Sequence, residues 1–334
     1  MSEGYLRAGA FIPWSKCWPE VSAAVKRGPD RESVAQSVAL IRGQQTHWDQ
    51  IARAWRRAVE FGMETGEAHN ALGTQAPVVV GPGRVKHGVI GDMQLRPGVP
   101  MEQITWIAEY FVDKQTDVVV QLGDWADMHS LSSWDSRSKK AWDRRSLAED
   151  FEVANRGWDM LEEVWARRGW QPTRKVYLLG NHEDRIRRFV EDNPEHREDV
   201  TCDRFNAKAH GWEIHDFLVP VEIDGVAYSH FWPRSGSGYI TQTKRGAPSA
   251  LAQVKREMRS CTAGHQQGLD MAIYHAGGRS YRGCILGSSY QHTEAFLSPQ
   301  GNDHWRGVLL CHSVHDGWYD ACEVPLSYLR RRYA

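Results

Sequence analysis

The chain of 334 residues is 41% hydrophobic, which is enough for one large domain and a smaller unit in addition. Its formal net charge of −1 excludes a global attraction to nucleic acid or to anionic membranes, so any polyanion must bind a local basic surface. No apolar run approaches the length of a membrane span, and we expect no membrane partner.

The six cysteines lie far apart in the chain, and no pair has CxxC spacing. This excludes a zinc knuckle and a CxxC redox centre. No secretion signal is evident at the start of the sequence, so we expect a cytoplasmic protein whose cysteines form no disulfides.

Residues 1–77 are predicted to form a helical region followed by a linker. Apolar residues recur at helical spacing in 32–41 and in 46–61, and an Arg-Gly pair separates the two runs. Two helices with a tight break fit a helix-turn-helix that docks on DNA. They also fit a helical hairpin that packs on the main domain or assembles a homo-oligomer, which is the interpretation we favour. The composition of 66–77 is typical of a linker.

Beyond this linker the chain alternates between strand and helix patterns. Alternation of this kind predicts an α/β fold with a partly parallel sheet. The apolar runs lie at 85–90, 118–122 and 176–179, and the helical stretches at 101–114 and 146–168. Asp224-Gly225 between two alternating runs predicts a tight β-hairpin. We assign residues 78–334 to one domain, with a helical basic insertion at about 128–172.

Five predicted strands are each followed by residues that can bind a metal ion. In layered α/β folds, loops converge at the carboxyl ends of strands, and glycine lets the backbone turn sharply beside a ligand. The five segments are Gly91-Asp92-Met93-Gln94, Gly123-Asp124-Trp125-Ala126-Asp127, Gly180-Asn181-His182-Glu183-Asp184, Ser229-His230 and Gly264-His265-Gln266-Gln267.

The order of these motifs resembles the signature of the calcineurin-like metallophosphoesterases. That signature is GDxH, GDxxD, GNH(E/D), H and GHxH, and this chain has GDMQ, GDWAD, GNHED, SH and GHQQ within residues 84–270. The stretches DMQLRPGVP, GNHEDRI and PQGNDHWRG are similar to metallophosphoesterases of bacteriophages and prophages. The resemblance implies a four-layer αββα sandwich with an N-terminal helical appendage, and the cytoplasm of a bacterial host if a phage encodes the chain.

The resemblance also implies a centre of two divalent metal ions. Asp124 would bridge the two ions, as an anionic bidentate carboxylate can. The remaining ligands fall into two groups: Asn181, His230 and His265 for one ion, and Asp92, Gln94 and Gln267 for the other. A metal-activated bridging hydroxide would be the nucleophile. His182 would act as general acid on the leaving oxygen, and Asp127 would orient it.

Gln94 and Gln267 stand where the family pattern has histidine. Glutamine offers a hard, neutral oxygen donor in place of nitrogen, so this half of the centre should disfavour Zn²⁺ and prefer Mn²⁺ or Mg²⁺. We expect Mn²⁺ to be the favoured cofactor, ahead of Mg²⁺, Fe²⁺ and Zn²⁺. An active mononuclear enzyme and an inactive scaffold are the alternatives.

Several cations are candidates for binding substrate phosphates. The stretch 130–145 interleaves basic residues with tryptophans, a combination suited to a nucleic-acid strand. A solvated helical surface is the alternative for this stretch and for the arginines that follow GNHED. The candidates are Arg137, Lys139, Lys140, Arg185 and Arg234.

These features favour a metal-dependent phosphodiester hydrolase, a nuclease acting on DNA or RNA. The protein-phosphatase motif GDxxDRG is absent, because Met128 follows Asp127. One alternative is a hydrolase of small phosphate esters, such as a nucleotide or cyclic-nucleotide phosphodiesterase or a phosphomonoesterase. Another is a DNA-binding regulatory protein with weak esterase activity. Tyr290 and His292 are expected to be ordinary residues of C-terminal strands unless the fold brings them to the site.

Overall fold

The computed structural model describes residues 20–21, 23–24, 31–42, 51, 85–132, 145–233, 248–294 and 301–334. Within these ranges it has six α-helices and eleven β-strands. The helices are α1 (Arg31–Arg42), α2 (Glu102–Lys114), α3 (Leu147–Arg167), α4 (Asp184–Asp192), α5 (Ala250–Glu257) and α6 (Leu326–Tyr333). The strands are β1 (His87–Ile90), β2 (Val118–Gln121), β3 (Arg174–Leu178), β4 (Glu213–His215), β5 (Val221–Ile223), β6 (Val226–Ser229), β7 (Ser260–Ala263), β8 (Asp270–Ala276), β9 (Arg279–Ile285), β10 (Gly307–His315) and β11 (Trp318–Pro325).

The strands form two mixed sheets. The six-stranded sheet has the order β11-β10-β1-β2-β3-β4, in which β1 to β4 run parallel and β10 pairs antiparallel with β1. The five-stranded sheet has the order β5-β6-β7-β9-β8, with β6, β7 and β9 parallel. Parallel central strands place their carboxyl ends at the same edge of each sheet, which is where the sequence predicted converging loops.

Alternating side chains of the central strands enter two different apolar clusters. In β1, Val89 belongs to a cluster made by both sheets, whereas Ile90 packs in a cluster with helix residues. The cluster between the sheets includes Val120, Val176 and Leu309 from one sheet and Val226, Tyr228 and Cys284 from the other. The outer clusters join the six-stranded sheet to α2, α3 and α6, and the five-stranded sheet to α5. The described elements therefore form an α/β sandwich.

Local sequence explains where these elements begin and end. The Ser146 side chain accepts a hydrogen bond from the backbone N–H of Glu149, which caps the start of α3. Gln115 adopts left-handed backbone and ends α2. Asp224 and Gly225 both have positive φ, 50° and 79°, as the predicted tight hairpin between β5 and β6 requires. The helices predicted at 101–114 and 146–168 are confirmed as α2 and α3.

The chain divides into two compact units, one of Met1–Gly81 with His275–Arg279, and one of Pro82–Tyr274 with Ser280–Ala334. Helix α1 confirms the helix predicted at 32–41. The second helix predicted at 46–61 lies outside the described residues except for Ile51, so the helix-turn-helix, the boundary at residue 77 and the basic insertion stay predictions. No helix in the described part of the chain has the length and apolar character needed to cross a bilayer.

Candidate metal centre

Three side chains from three loops meet at the carboxyl ends of the strands. Asp124 follows β2, His230 follows β6 and His265 follows β7. Each offers one ligand atom, and these atoms lie within 4.8 Å of one another. A carboxylate and two imidazoles at this spacing could hold a divalent metal ion.

Asn181, in the loop after β3, lies against two of these side chains. Its Oδ1 lies 2.9 Å from Nε2 of His230 and 2.7 Å from Nδ1 of His265. The other ring nitrogen of His230, Nδ1, lies 2.8 Å from the carbonyl oxygen of Leu122. If Nδ1 donates its proton to that carbonyl, Nε2 is left free to coordinate, which is the usual way in which a protein orients a histidine ligand.

Asp92 meets the physical test for a ligand of a cation. Its carboxylate is fully buried, Oδ1 accepts a hydrogen bond of 3.0 Å from the backbone N–H of His265, and Oδ2 has no hydrogen-bond partner in the part of the chain that is described. A buried carboxylate oxygen without a partner is costly unless a cation satisfies it. Burial, followed by the negative charge of Asp124, raises the pKa of Asp92 to about 7.

The charges of Asp124 and His230 stabilise each other. Burial would raise the pKa of Asp124, but the neighbouring His182 and His230 hold it well below its usual range. Burial would likewise lower the pKa of His230, but Asp124, whose Oδ1 lies 3.4 Å from Nε2, raises it to about 9. A metal ion that binds here must therefore displace a proton from His230.

Two glycines of the motifs are required by the close approach of ligand side chains. A Cβ atom on Gly180 would lie 2.2 Å from Oδ1 of Asp124, and one on Gly264 would lie 2.6 Å from Oδ1 of Asp92. Both distances are far below van der Waals contact. The glycines therefore make room for carboxylates that come from other loops.

Four candidate ligand residues have left-handed backbone, which is uncommon for residues other than glycine. The φ angles are 44° for Gln94, 53° for Asp124, 67° for His265 and 57° for Gln267. Backbone strain of this kind is concentrated at functional sites, where the surrounding structure must hold it in place. Here it occurs in the loops that follow β1, β2 and β7.

His182 lies beside this group and is held by Asp127. Its Nδ1 is 2.9 Å from Oδ1 of Asp127, and its Nε2 is 3.7 Å from Oδ2 of Asp124, so Nε2 faces the candidate ligands. Burial and Arg185 lower the pKa of His182, but the nearby Asp124 and Asp127 outweigh them and raise it. The ring is thus suited to carry a proton on the side that faces the ligands.

Arg185 is the predicted phosphate-binding cation that the described structure brings to the site. Its Nη1 donates a hydrogen bond of 2.7 Å to the carbonyl oxygen of Asp127, and its Nη2 lies 3.3 Å from Nε2 of His182. The other four predicted cations, Arg137, Lys139, Lys140 and Arg234, lie outside the described residues.

The two glutamines are both buried. The backbone N–H of Gln94 donates to the carbonyl oxygen of Asp124 at 2.8 Å, which fixes the loop beside that carboxylate. The Oε1 atom of Gln267 accepts a hydrogen bond of 3.1 Å from the hydroxyl of Tyr290, whose ring stacks on His292. An amide oxygen has two lone pairs, so one remains available for a metal ion.

Glu183 is a site residue whose role the motif did not reveal. It is fully buried and accepts hydrogen bonds from three backbone N–H groups: those of Asp124 and Gly180 through Oε2 and that of Ala126 through Oε1. It therefore ties the loop after β2 to the loop after β3. Its position in GNHED was the available signal, because a carboxylate that follows a buried strand needs partners.

Neither the family models nor the curated proteins searched contain a match to this chain.

Proposed function

We propose that the protein is a metal-dependent phosphoester hydrolase built on a metallophosphoesterase αββα sandwich. The observation that carries the proposal is the convergence of Asp124, Asn181, His230 and His265 on one point, with Nε2 of His182 directed at the same place. Ligands for a cation and a proton donor within one buried site are the requirements of phosphoester hydrolysis.

The proposed ligands form two sets that share Asp124. One set is Asn181, His230 and His265; the other is Asp92, Gln94 and Gln267. The Oδ2 atom of Asp92 supports the second set, because it is a buried carboxylate oxygen without a hydrogen-bond partner among the described residues. When bound, two divalent ions supply Lewis acidity, which lowers the pKa of water and neutralises charge on the phosphoryl group.

His182 is the proposed general acid. Asp127 holds its Nδ1, so Nε2 is the atom that donates a proton to the leaving oxygen of the ester. Arg185, whose guanidinium lies 3.3 Å from Nε2, is suited to bind a phosphoryl oxygen at the same place. The two side chains would thus contact neighbouring atoms of one substrate group.

The proposed substrate is a phosphodiester of nucleic acid. Supporting features are Arg185 beside His182 and the basic, tryptophan-containing stretch 130–145 that follows the Asp124 loop in sequence. The oxygen donors Gln94 and Gln267 favour Mn²⁺ or Mg²⁺ over Zn²⁺ as the activating ion.

The direct test measures metal content together with hydrolysis of a chromogenic phosphodiester and of labelled single-stranded DNA and RNA in Mn²⁺. We expect about two ions per chain and Mn²⁺-dependent turnover. In a Gln94→His/Gln267→His variant, the preferred ion should shift towards Zn²⁺, because nitrogen replaces oxygen as donor. Asp124→Asn should bind neither ion tightly.

An absence of turnover with any divalent ion would refute the hydrolase. If the protein bound one ion per chain and still hydrolysed the diester in Mn²⁺, the dinuclear centre would be refuted, and the protein would be a mononuclear enzyme. If the protein hydrolysed the chromogenic diester but cleaved neither DNA nor RNA, the proposed substrate would be a small phosphate ester instead of nucleic acid.

A further inference from the structure

Arg96 joins three separate segments beside the candidate centre. Its Nη1 donates to Oδ2 of Asp127 at 2.8 Å, and Nη1 and Nη2 donate to Oε1 and Oε2 of Glu294 at 2.7 and 3.1 Å. Arg96 follows β1, Asp127 follows β2 and Glu294 follows β9. The side chains of Arg96, Asp127 and Glu294 are only 20%, 10% and 6% exposed.

The contact with Arg96 occupies the carboxylate oxygen of Asp127 that His182 does not use. Oδ1 lies 2.9 Å from Nδ1 of His182, whereas Oδ2 is held by Arg96. With a separate donor on each oxygen, the plane of the carboxylate is fixed. If Oδ2 lost its donor, the carboxylate could rotate towards Arg185, whose Nη1 is already 3.4 Å from Oδ1.

Glu294, in turn, is anchored so that it holds Arg96 in place. The backbone N–H of Glu294 donates to Oδ1 of Asn302 at 2.7 Å, and Nδ2 of Asn302 donates back to the carbonyl oxygen of Glu294 at 2.8 Å. Nε2 of His292 lies a further 3.0 Å from Oε1. The bidentate pair between Arg96 and Glu294 therefore connects Asp127 to a fixed part of the chain.

A mostly buried cluster of two carboxylates and one guanidinium contributes geometry more than stability. Desolvation of the three charges offsets much of their attraction, and replacing such groups by apolar residues is often neutral for stability. Their distances and directions, by contrast, contribute to the direction of the His182 ring, because its Nδ1 lies 2.9 Å from Oδ1 of Asp127 and 2.9 Å from the backbone carbonyl oxygen of the same residue.

We propose that Arg96 is a positioning residue, which with Glu294 fixes the carboxylate of Asp127 so that Nε2 of His182 faces the leaving oxygen of the substrate. This rests on the hydrolase proposed above. Arg96 itself contacts neither the candidate ligands nor His182 in the described contacts, so its effect on the reaction passes through Asp127.

The first test compares two diesters that differ in the leaving group. A p-nitrophenolate leaves without protonation, whereas an alkoxide needs a general acid. For Arg96→Leu we expect kcat on the alkyl diester to fall at least about tenfold, a part of what a general acid supplies, with kcat on the p-nitrophenyl diester within about twofold. Metal content should not change. Arg96→Lys keeps the charge, provides a second variant if Arg96→Leu does not fold, and should recover part of the loss.

The second test needs no turnover. In protein labelled with ¹⁵N-histidine, the His182 ring signal is identified by its loss in His182→Ala. Arg96→Leu and Glu294→Gln should each broaden or shift that signal, because the Asp127 carboxylate beside Nδ1 of the ring is no longer held in one orientation. Arg156→Leu is the matched control, since Arg156 forms an exposed pair with Glu163 on α3.

An unchanged His182 signal in both variants would overturn the positioning role, whether or not the wild type is active. Equal losses of kcat on the two diesters would also overturn it, because that is the effect of a general structural fault. Suppose that the wild type hydrolyses neither diester but the His182 signal still changes in Arg96→Leu. That result would refute the proposed hydrolase and would support the role of Arg96 in positioning His182.

Discussion

Asp124 is held in place by residues from the loops after β1, β3 and β6. Its backbone N–H donates to Glu183 and its Oδ1 accepts from the backbone N–H of His182 at 3.0 Å. The same carboxylate lies 3.4 Å from His230, and its backbone carbonyl oxygen accepts from Gln94. Because several loops hold Asp124, its position is defined by the edge of the sandwich, which is what the proposed bridging role needs.

His182 gives a sharp test at the same scale. Replacing it by alanine removes the proposed proton donor but none of the proposed metal ligands. We expect His182→Ala to retain its metal ions and to lose at least about a hundredfold in kcat, the usual contribution of a general acid. Metal analysis and steady-state kinetics on an alkyl phosphodiester check this. Turnover close to that of wild type would remove His182 from the reaction.

The sequence predicted much of the site, and it missed contacts between distant residues. The motifs marked Asp124, His182 and His265 because each follows an apolar run, and strand ends converge. No local pattern in the sequence indicated that Arg96 and Glu294 form a pair, since they are 198 positions apart. They meet because the fold brings the segments after β1 and β9 together. Tyr290 was expected to be ordinary, and its contact with Gln267 depends on the same convergence.

At the scale of elements, buried strands were predicted best. Strands β1, β2 and β3 overlap the predicted apolar runs, because strands covered on both faces are rich in apolar side chains. Strand β4, Glu213–His215, is short and partly exposed at the edge of its sheet, so it has no apolar run from which a strand could be predicted. Its existence depends on pairing with β3, which is a tertiary contact.

Glu183 links two of these elements, and its loss should loosen both loops. In Glu183→Gln, an amide nitrogen replaces one acceptor, so at least one backbone N–H among those of Asp124, Ala126 and Gly180 loses its partner. We expect a loss of about 1–3 kcal/mol in the free energy of unfolding, the cost of one unsatisfied buried donor. Urea denaturation measures this.

The matched control is Glu191→Gln in α4, where the side chain is 59% exposed. Its free energy of unfolding should change by less than about 0.5 kcal/mol. If the two variants were equally stable, Glu183 would not be the residue that ties the loops after β2 and β3.

At the scale of the whole molecule, the two sheets are joined by a polar contact within an apolar interface. His87 in β1 is fully buried, and its Nδ1 lies 2.8 Å from the hydroxyl of Tyr228 in β6. Its Nε2 lies 2.9 Å from Asp224 in the hairpin turn. Burial lowers the pKa of His87 more than Asp224 raises it, so the ring is neutral between the sheets at neutral pH.

This contact predicts how stability depends on pH. The pKa of His87 is lowered in the folded protein, so the unfolded chain binds the proton more readily. The contribution of His87 is therefore complete above the unfolded pKa of about 6.5 and is lost as the pH falls below it, with a slope of at most about 1.4 kcal/mol per pH unit.

We expect His87→Gln to show a shallower decline in the free energy of unfolding than wild type between about pH 7 and pH 5. Denaturation with urea across this range provides the measurement, and the difference between the two proteins cancels the other titrating groups. Parallel curves would mean that folding leaves the pKa of His87 unchanged.

The left-handed backbone at the four candidate ligands lowers conformational stability at residues that the proposed activity needs. Asp124→Gly and Asp124→Ala both remove the carboxylate, yet only glycine adopts a φ of 53° without strain. Without added metal, the glycine variant should be more stable than the alanine variant by about 1 kcal/mol, the reverse of the order at most sites. Selection for heat resistance alone would therefore act against keeping the carboxylate on which the proposed activity depends.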